Sequence, residues 1–196
     1  MNAEKSMKRI LAGLCAALLA AGAALSLGGC NIIRLGRAIA DNQAADEEKT
    51  MTSTDGKYQI TVPGNWKDEM EELGEGTVLA AGNSRQDAYL VVLAESKEDF
   101  ESSVTLEDYQ NAVIGQMEGS VEGASVSPAE SLDINGRTGY LTEIRGTVDS
   151  VKFTYWVTCL ETTTDFVQIT GWTLQSREEK CGEEIRRIEA SFQELK

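Results

Sequence analysis

A long stretch of the C-terminal half constrains the fold most, because turn-forming residues divide it into consecutive strand-like segments. Asn135-Gly136 is the strongest hairpin signal, since a type I′ turn needs two residues that tolerate positive φ. Asp149-Ser150 and the threonine run at 162–164 mark two further short turns. Strands joined by turns this short run antiparallel. The pattern therefore predicts an antiparallel meander.

Three shorter segments before this meander also resemble strands. They lie at 58–62, 77–81 and 88–94. The first alternates apolar and polar residues, as a half-buried strand does, and the last is almost continuously apolar, which is typical of a central strand. We expect all three to join the meander in one sheet.

Two segments have the apolar spacing of amphipathic helices. The first begins at Thr105, which can form a capping box with Asp108. The second follows Ser176, which has Glu179 at the same capping-box spacing. The order of elements predicts an α+β fold, a single antiparallel β-sheet packed by two main helices.

The N-terminus has the three-part pattern of an export signal. Basic residues at positions 5, 8 and 9 precede an apolar run at 10–27, and small residues follow this run directly. A membrane-spanning helix is the alternative, because the run approaches the length that crosses a bilayer. Dilution by Gly and Ala, and the absence of an immediate basic cluster, favour a cleaved signal.

The sequence Leu27-Gly28-Gly29-Cys30 resembles the lipobox of bacterial lipoproteins. The resemblance implies cleavage between Gly29 and Cys30, followed by attachment of diacylglycerol, and of acyl chains such as palmitate, at Cys30. Two or three acyl chains anchor a protein stably, whereas one binds only marginally. We therefore expect a protein held by lipid on the extracytoplasmic side of a cell membrane. An ordinary secreted protein with a chance Cys is the alternative.

These features divide the chain into three parts. Residues 1–29 form the predicted lipoprotein signal peptide, and residues 30–56 form a predicted lipid-anchored flexible tether, because they are polar with no sustained apolar period. Residues 57–196 form the predicted α+β domain. The chain that remains after cleavage is long enough for a single domain with a hydrophobic core.

The charge of the chain excludes several classes of partner. The chain has 18 basic and 32 acidic residues, and residues 1–29 contain three of the basic residues and one of the acidic ones. The remainder of the chain therefore has 15 basic and 31 acidic residues, a net charge of −16. Nucleic acids and anionic headgroups bind to basic patches, so no nucleic acid partner is expected. The acidity favours solubility and cationic partners.

The chain contains no histidine. Histidine is the commonest general base and metal ligand, and it activates most Ser and Cys nucleophiles. We therefore expect no enzyme, no catalytic residue and no cofactor. A metal is not expected either, since the acidic clusters lack the spacing of a calcium-binding loop.

Cys159 and Cys181 are the two cysteines of the predicted domain. In an exported protein such a pair can form a disulfide, which would close a loop of about 20 residues and add ~3 kcal/mol of stability. The alternative is two buried thiols that act as small apolar residues.

Trp156 and Trp172 are a candidate binding surface. Trp156 alternates with polar residues in its strand, which indicates the less buried face of the sheet, and Trp172 lies near it in the next strand if the register permits. Exposed paired tryptophans mark a partner or sugar surface. The alternative is that both pack beneath a helix or the tether.

The opening strand of the domain, Tyr58-Gln59-Ile60-Thr61-Val62, is followed by Pro63 and Trp66. This strand–Pro–x–x–Trp pattern, with the order of elements over 57–195, resembles PsbP-like and Mog1-like domains, a family that includes many uncharacterised exported lipoproteins. The resemblance implies an α+β fold and accessory roles. It implies no shared set of catalytic residues, and a fold alone does not give a function.

These observations support three hypotheses. The first is a non-catalytic binding or assembly-accessory module, bound to a membrane through the lipid on Cys30 and to a protein partner through its domain. The second is a small-ligand or solute-binding lipoprotein, which needs a pocket of some hundreds of Å³. The third is a carboxylate-based hydrolase, which needs two acids roughly 5–9 Å apart in a cleft.

Overall fold

The computed structural model describes residues 47–195, in which eleven strands and three α-helices form. The helices are α1 (Met70–Leu73), α2 (Leu106–Ser120) and α3 (Glu178–Ala190). The strands are β1 (Glu48–Thr52), β2 (Tyr58–Pro63), β3 (Lys67–Asp68), β4 (Leu79–Asn83), β5 (Ala88–Ser96), β6 (Glu122–Val126), β7 (Glu130–Ile134), β8 (Arg137–Val148), β9 (Val151–Glu161), β10 (Asp165–Leu174) and β11 (Gln193–Glu194).

Eight of these strands form one antiparallel sheet. Its order is β3-β4-β5-β10-β9-β8-β6, and β7 pairs with β8 beyond this path. The predicted meander is its centre, because β8, β9 and β10 pair in sequence order over most of their lengths. The turn between β7 and β8 has φ of +53° at Asn135 and +83° at Gly136, as a type I′ turn requires.

The expectation of a single sheet was wrong. A second, three-stranded sheet has the order β1-β2-β11, and all its pairs are antiparallel. The strand predicted at 58–62 is its middle strand and not a member of the large sheet. One partner of β2 lies just before it in the chain and the other follows α3, so this arrangement depends on long-range pairing.

The predicted start of the folded domain, at residue 57, was nine residues too late. Strand β1 begins at Glu48 and pairs with β2 along its whole length, although it lies inside the predicted tether. Its sequence is polar and mostly exposed, as suits an edge strand, and so carries little apolar signal. The predicted signal peptide and the first part of the tether lie outside the described residues.

Each face of the large sheet carries its own core. Helix α2 covers one face, where Tyr109 and Met117 pack against strand residues that include Val157 and Trp172; this is the α2 core. Helix α3 and β2 cover the other face, where Ile185 packs among residues that include Trp156, Ile169 and Ile60; this is the α3 core. Both faces of the central strands are therefore buried, which explains the nearly continuous apolar sequence of β5.

Candidate functional site

The predicted lipidation site, Cys30, and the predicted cleavage position at Gly29 lie outside the described residues, so both stay predictions. Within residues 47–195, no helix combines the length and the apolar character that crossing a bilayer requires.

The tryptophan pair does not form an exposed surface. Trp156 is 1% exposed and lies in the α3 core, whereas Trp172 is 3% exposed and lies in the α2 core. Trp156 stands opposite Gly171 in the β9–β10 register, so Trp172 points to the other face of the sheet. One residue of register decides this, because neighbouring residues of a strand point to opposite faces.

The cysteine pair does not form a disulfide. Cys159 and Cys181 are both free and buried, the first in the α2 core and the second in the α3 core. The large sheet separates the two thiols, so no local movement brings them together. Burial raises the pKa of both thiols, which leaves them protonated and unreactive at neutral pH.

A cleft of about 220 Å³ opens beside α3, on the face of the large sheet that this helix covers. Its walls come from three parts of the chain that are distant in sequence. Strands β8 and β9 contribute Leu141, Glu143 and Trp156, and α3 contributes Arg186. Ser127, Pro128 and Glu130 contribute from β7 and the loop before it.

Trp156 reaches the cleft because α3 has a glycine above it. A Cβ atom at Gly182 would lie 2.6 Å from Cζ2 of Trp156, so a larger residue would force the helix away from the ring. The indole Nε1–H donates to Oε2 of Glu143 at 3.2 Å. The guanidinium of Arg186, one helical turn after Gly182, lies 5.9 Å from the centre of the indole ring.

An ion network fixes the position of Glu143. Its second carboxylate oxygen pairs with Arg145, which also binds Glu178 at the start of α3 through Nε at 2.9 Å and Nη2 at 2.5 Å. Thr154 donates a further hydrogen bond of 2.7 Å to Glu178. The hydrogen bonds from Arg145 lower the pKa of Glu178, so this carboxyl stays charged at neutral pH and holds α3 to the sheet.

Two charged residues of the cleft remain without such partners. Glu130 and Arg186 form no ion pair or hydrogen bond with any residue between 47 and 195, although Arg186 contacts the Trp156 ring. Four other arginines, Arg137, Arg145, Arg177 and Arg187, are in salt bridges. Among residues 47–195, neither group on the cleft wall is in a salt bridge, although the charge of Arg186 acts on Glu178 and Glu189.

A buried carboxyl lies one turn of α3 from the cleft. Glu189 is 2% exposed, and its two oxygens accept hydrogen bonds from the hydroxyl of Thr158 at 2.7 Å and from the backbone N–H of Gly171 at 3.2 Å. Burial raises its pKa to about 8. Sequence reasoning missed Glu189, although its position four residues after Ile185 places it beside the apolar stripe of α3.

The cleft has charged groups of both signs on its walls. Two carboxylates line it, but both oxygens of Glu143 are held by Trp156 and Arg145, so this group is a fixed acceptor. Between residues 47 and 195, no three His, Cys, Asp or Glu side chains come together in a way that could hold a metal ion. Sequence reasoning named Trp156 alone among the lining residues, because the others converge only through long-range strand pairing.

No protein-family model matches the chain, and no curated protein matches it. Solved structures do. CyanoP, a PsbP protein of Synechocystis sp. PCC 6803, is 17% identical and matches 86% of this chain and 99% of its own, with a TM-score of 0.53. LpqN of Mycobacterium tuberculosis, described as involved in cell envelope biogenesis, is 12% identical and matches 86% of this chain and all of its own, with a TM-score of 0.57.

A protein of Bacteroides thetaiotaomicron is 13% identical, with a TM-score of 0.54; the match covers 76% of this chain but 48% of that protein. Identities this low show the fold alone. The described domain therefore has a PsbP-like α+β fold built from two antiparallel sheets.

Proposed function

We propose that this chain is an exported lipoprotein, anchored at Cys30, whose domain acts as a non-catalytic binding or assembly-accessory module outside the membrane. The lipobox-like sequence before Cys30 supports the anchor. The fold that the domain shares with CyanoP and LpqN supports an accessory role, since the second of these is described as involved in cell envelope biogenesis.

The observation that carries the binding role is the small size and mixed charge of the cleft. Its volume of about 220 Å³ lies below the range of roughly 300–1,000 Å³ that is usual for small-ligand sites. Its walls also carry Glu130 and Arg186, which form no salt bridge with any residue between 47 and 195. A cleft of this kind suits one anchoring group of a larger partner, so the solute-binding hypothesis is the weaker one.

The anchor is tested by metabolic labelling with a fatty-acid analogue in bacteria that export the full chain. Cys30→Ser removes the only thiol that the lipobox-like sequence would lipidate, so it should abolish the label and release the protein from membranes. Cys15→Ser is the matched control, because Cys15 leaves with the predicted signal. Undiminished label in Cys30→Ser would overturn the anchor.

The binding role is tested by photo-crosslinking on intact cells. A photoreactive residue is placed either at Ala129, an exposed position between the cleft residues Pro128 and Glu130, or at Glu118 on α2, which packs on the opposite face of the large sheet. Repeated recovery of the same envelope protein from either position supports the proposal. Recovery of the uncrosslinked chain alone from both positions would contradict it and favour a solute-binding role.

A further inference from the structure

The two unpaired charges of the cleft lie on different elements, Glu130 at the start of β7 and Arg186 on α3. Four other arginines of the described chain form salt bridges, whereas Glu130 and Arg186 form none within residues 47–195 and are exposed to solvent. Glu130 and Arg186 are therefore two groups in one cavity whose hydrogen-bonding capacity is still available to a partner.

The remaining polar groups of the cleft walls already bind to one another. Glu143 is held through both carboxylate oxygens, and the indole N–H of Trp156 is already donated to it. The backbone N–H of Glu143 donates to the hydroxyl of Ser127 at 2.9 Å, and the N–H of Ser127 donates to the carbonyl of Glu143. Leu141 and Pro128 add apolar surface between these fixed polar groups. The cleft is thus preformed, which lowers the entropy that binding must overcome.

The sign of the surrounding charge selects the partner. Residues 30–196 have a net charge of −16, and a second carboxylate, Glu143, stands in the cavity beside Glu130. At long range the net charge repels an acidic group and attracts a cationic one. Inside the cavity Glu130 attracts a cation, Glu143 is already paired with Arg145, and Arg186 places a positive charge on the opposite element.

We infer, on the basis of the proposed binding role, that the cleft receives one Lys or Arg side chain from an extended segment of a partner protein. The cationic head pairs with Glu130, and the aliphatic stem lies against Leu141 and Pro128. Arg186 donates to a main-chain carbonyl oxygen of the same segment, since its guanidinium lies over the Trp156 ring and forms no hydrogen bond with a side chain or backbone group of residues 47–195. The cavity volume of about 220 Å³ suits a single side chain.

The test uses the full-length protein with ¹⁵N-labelled tryptophan and three blocked pentapeptides, acetyl-Ala-Ala-Xaa-Ala-Ala-amide, in which Xaa is Arg, Glu or Ala. The side-chain N–H signal of Trp156 reports on the cleft, and those of Trp66 and Trp172 are internal controls. We expect the Arg peptide to shift the Trp156 signal in a saturable way below about 10 mM, a concentration suited to a weak single-residue contact. The Ala and Glu peptides should not shift it.

Charge variants make the assignment specific. Glu130→Lys should weaken binding of the Arg peptide roughly tenfold or more, and Arg186→Gln should weaken it less without changing the preference for Arg. Glu118→Lys is the matched control, because it changes the net charge equally on the opposite side of the sheet. Folding is checked from the Trp66 and Trp172 signals of each variant.

Three results would overturn the inference: no saturable shift with the Arg peptide, a stronger shift with the Glu peptide, or equal weakening by Glu118→Lys and Glu130→Lys. These outcomes are separate from a failure of the proposed function. If crosslinking from Glu118 recovers a partner while no peptide binds, the cleft assignment fails and the binding role stands. If the Arg peptide binds while neither crosslinking position recovers a partner, the role in cells fails.

Discussion

At the residue scale, Glu189 is the least expected side chain of the domain. A carboxyl with 2% exposure loses its hydration, and burial raises its pKa from 4.5 to about 8. The hydrogen bonds from Thr158 and Gly171 and the charge of the nearby Arg186 oppose this rise without cancelling it. The group is therefore mostly protonated in the folded protein at neutral pH.

This pKa predicts that stability falls as pH rises. Between pH 4.5 and about pH 8 the unfolded chain releases the Glu189 proton while the folded chain keeps it, so the free energy of unfolding decreases across this window. The full shift corresponds to at most about 5 kcal/mol. Glu189→Gln should remove most of this slope. In urea unfolding, the free energy of unfolding of the variant should therefore rise relative to that of the parent between pH 5 and pH 9. Parallel pH dependence in the two proteins would contradict the assignment.

The turn between β8 and β9 offers a second prediction at this scale. Asp149 and Ser150 have φ of +49° and +68°, a left-handed conformation that is unfavourable for residues other than glycine. Ser150→Gly should therefore raise the free energy of unfolding by about 0.5–1 kcal/mol, after the greater freedom of glycine in the unfolded chain is subtracted. The reverse change in the matching turn, Gly136→Ser, should lower stability by a similar amount. Equal effects of the same sign would refute this explanation.

At the element scale, helix α3 docks through small and polar residues as well as through its apolar stripe. Gly182 lets the helix approach Trp156, and Glu178 ties its first turn to Arg145 and Thr154. The predicted capping box at Ser176 and Glu179 was wrong, because a 3₁₀ turn precedes α3 and its first helical turn has no side-chain cap. The box at Thr105 and Asp108 is confirmed, since both of its hydrogen bonds form.

Gly182→Ala should destabilise the domain by about 1–3 kcal/mol, because the new methyl group meets the Trp156 ring and overpacking of this kind outweighs the better helix propensity of alanine. Gly115→Ala is the control on α2, where a Cβ atom has no neighbour within 4 Å. It should stabilise the domain by about 0.5–1 kcal/mol. Chemical denaturation measures both, and stabilisation by Gly182→Ala would contradict the close contact.

The elements that sequence reasoning missed are those whose signal lies elsewhere in the chain. Strand β1 is polar, and its pairing with β2 depends on backbone hydrogen bonds to a strand in which apolar and polar residues alternate. Strand β11 has two residues and forms only because α3 returns the chain to β2. Long meander strands and amphipathic helices were predictable, since each carries its own periodicity.

At the scale of the whole molecule, the large sheet separates two cores. Because of this separation, the members of the tryptophan pair and of the cysteine pair lie on opposite faces of the sheet. A strand pattern shows that alternate residues share a face, but it does not show which face a neighbouring strand presents. For this reason the α+β class was predictable, whereas the positions of Trp156 and Trp172, and of Cys159 and Cys181, were not.

The separation of the cysteines predicts the behaviour of the thiols. The mature protein, unfolded without reductant, should show two reactive thiols per chain, from Cys159 and Cys181, and both should be inert in the native state because they are buried. Titration with a thiol reagent in and out of denaturant measures this. Thiols that appear only after reduction would indicate a disulfide and a different packing of α3.

In the proposed function, a lipid at Cys30 holds the whole domain outside a membrane. The most direct measurement is the mass of the N-terminal peptide of the mature protein, purified from bacterial membranes. We expect a chain that begins at Cys30 and carries diacylglycerol with one further acyl group or none. An unmodified N-terminus, or a chain that retains residues 1–29, would contradict it.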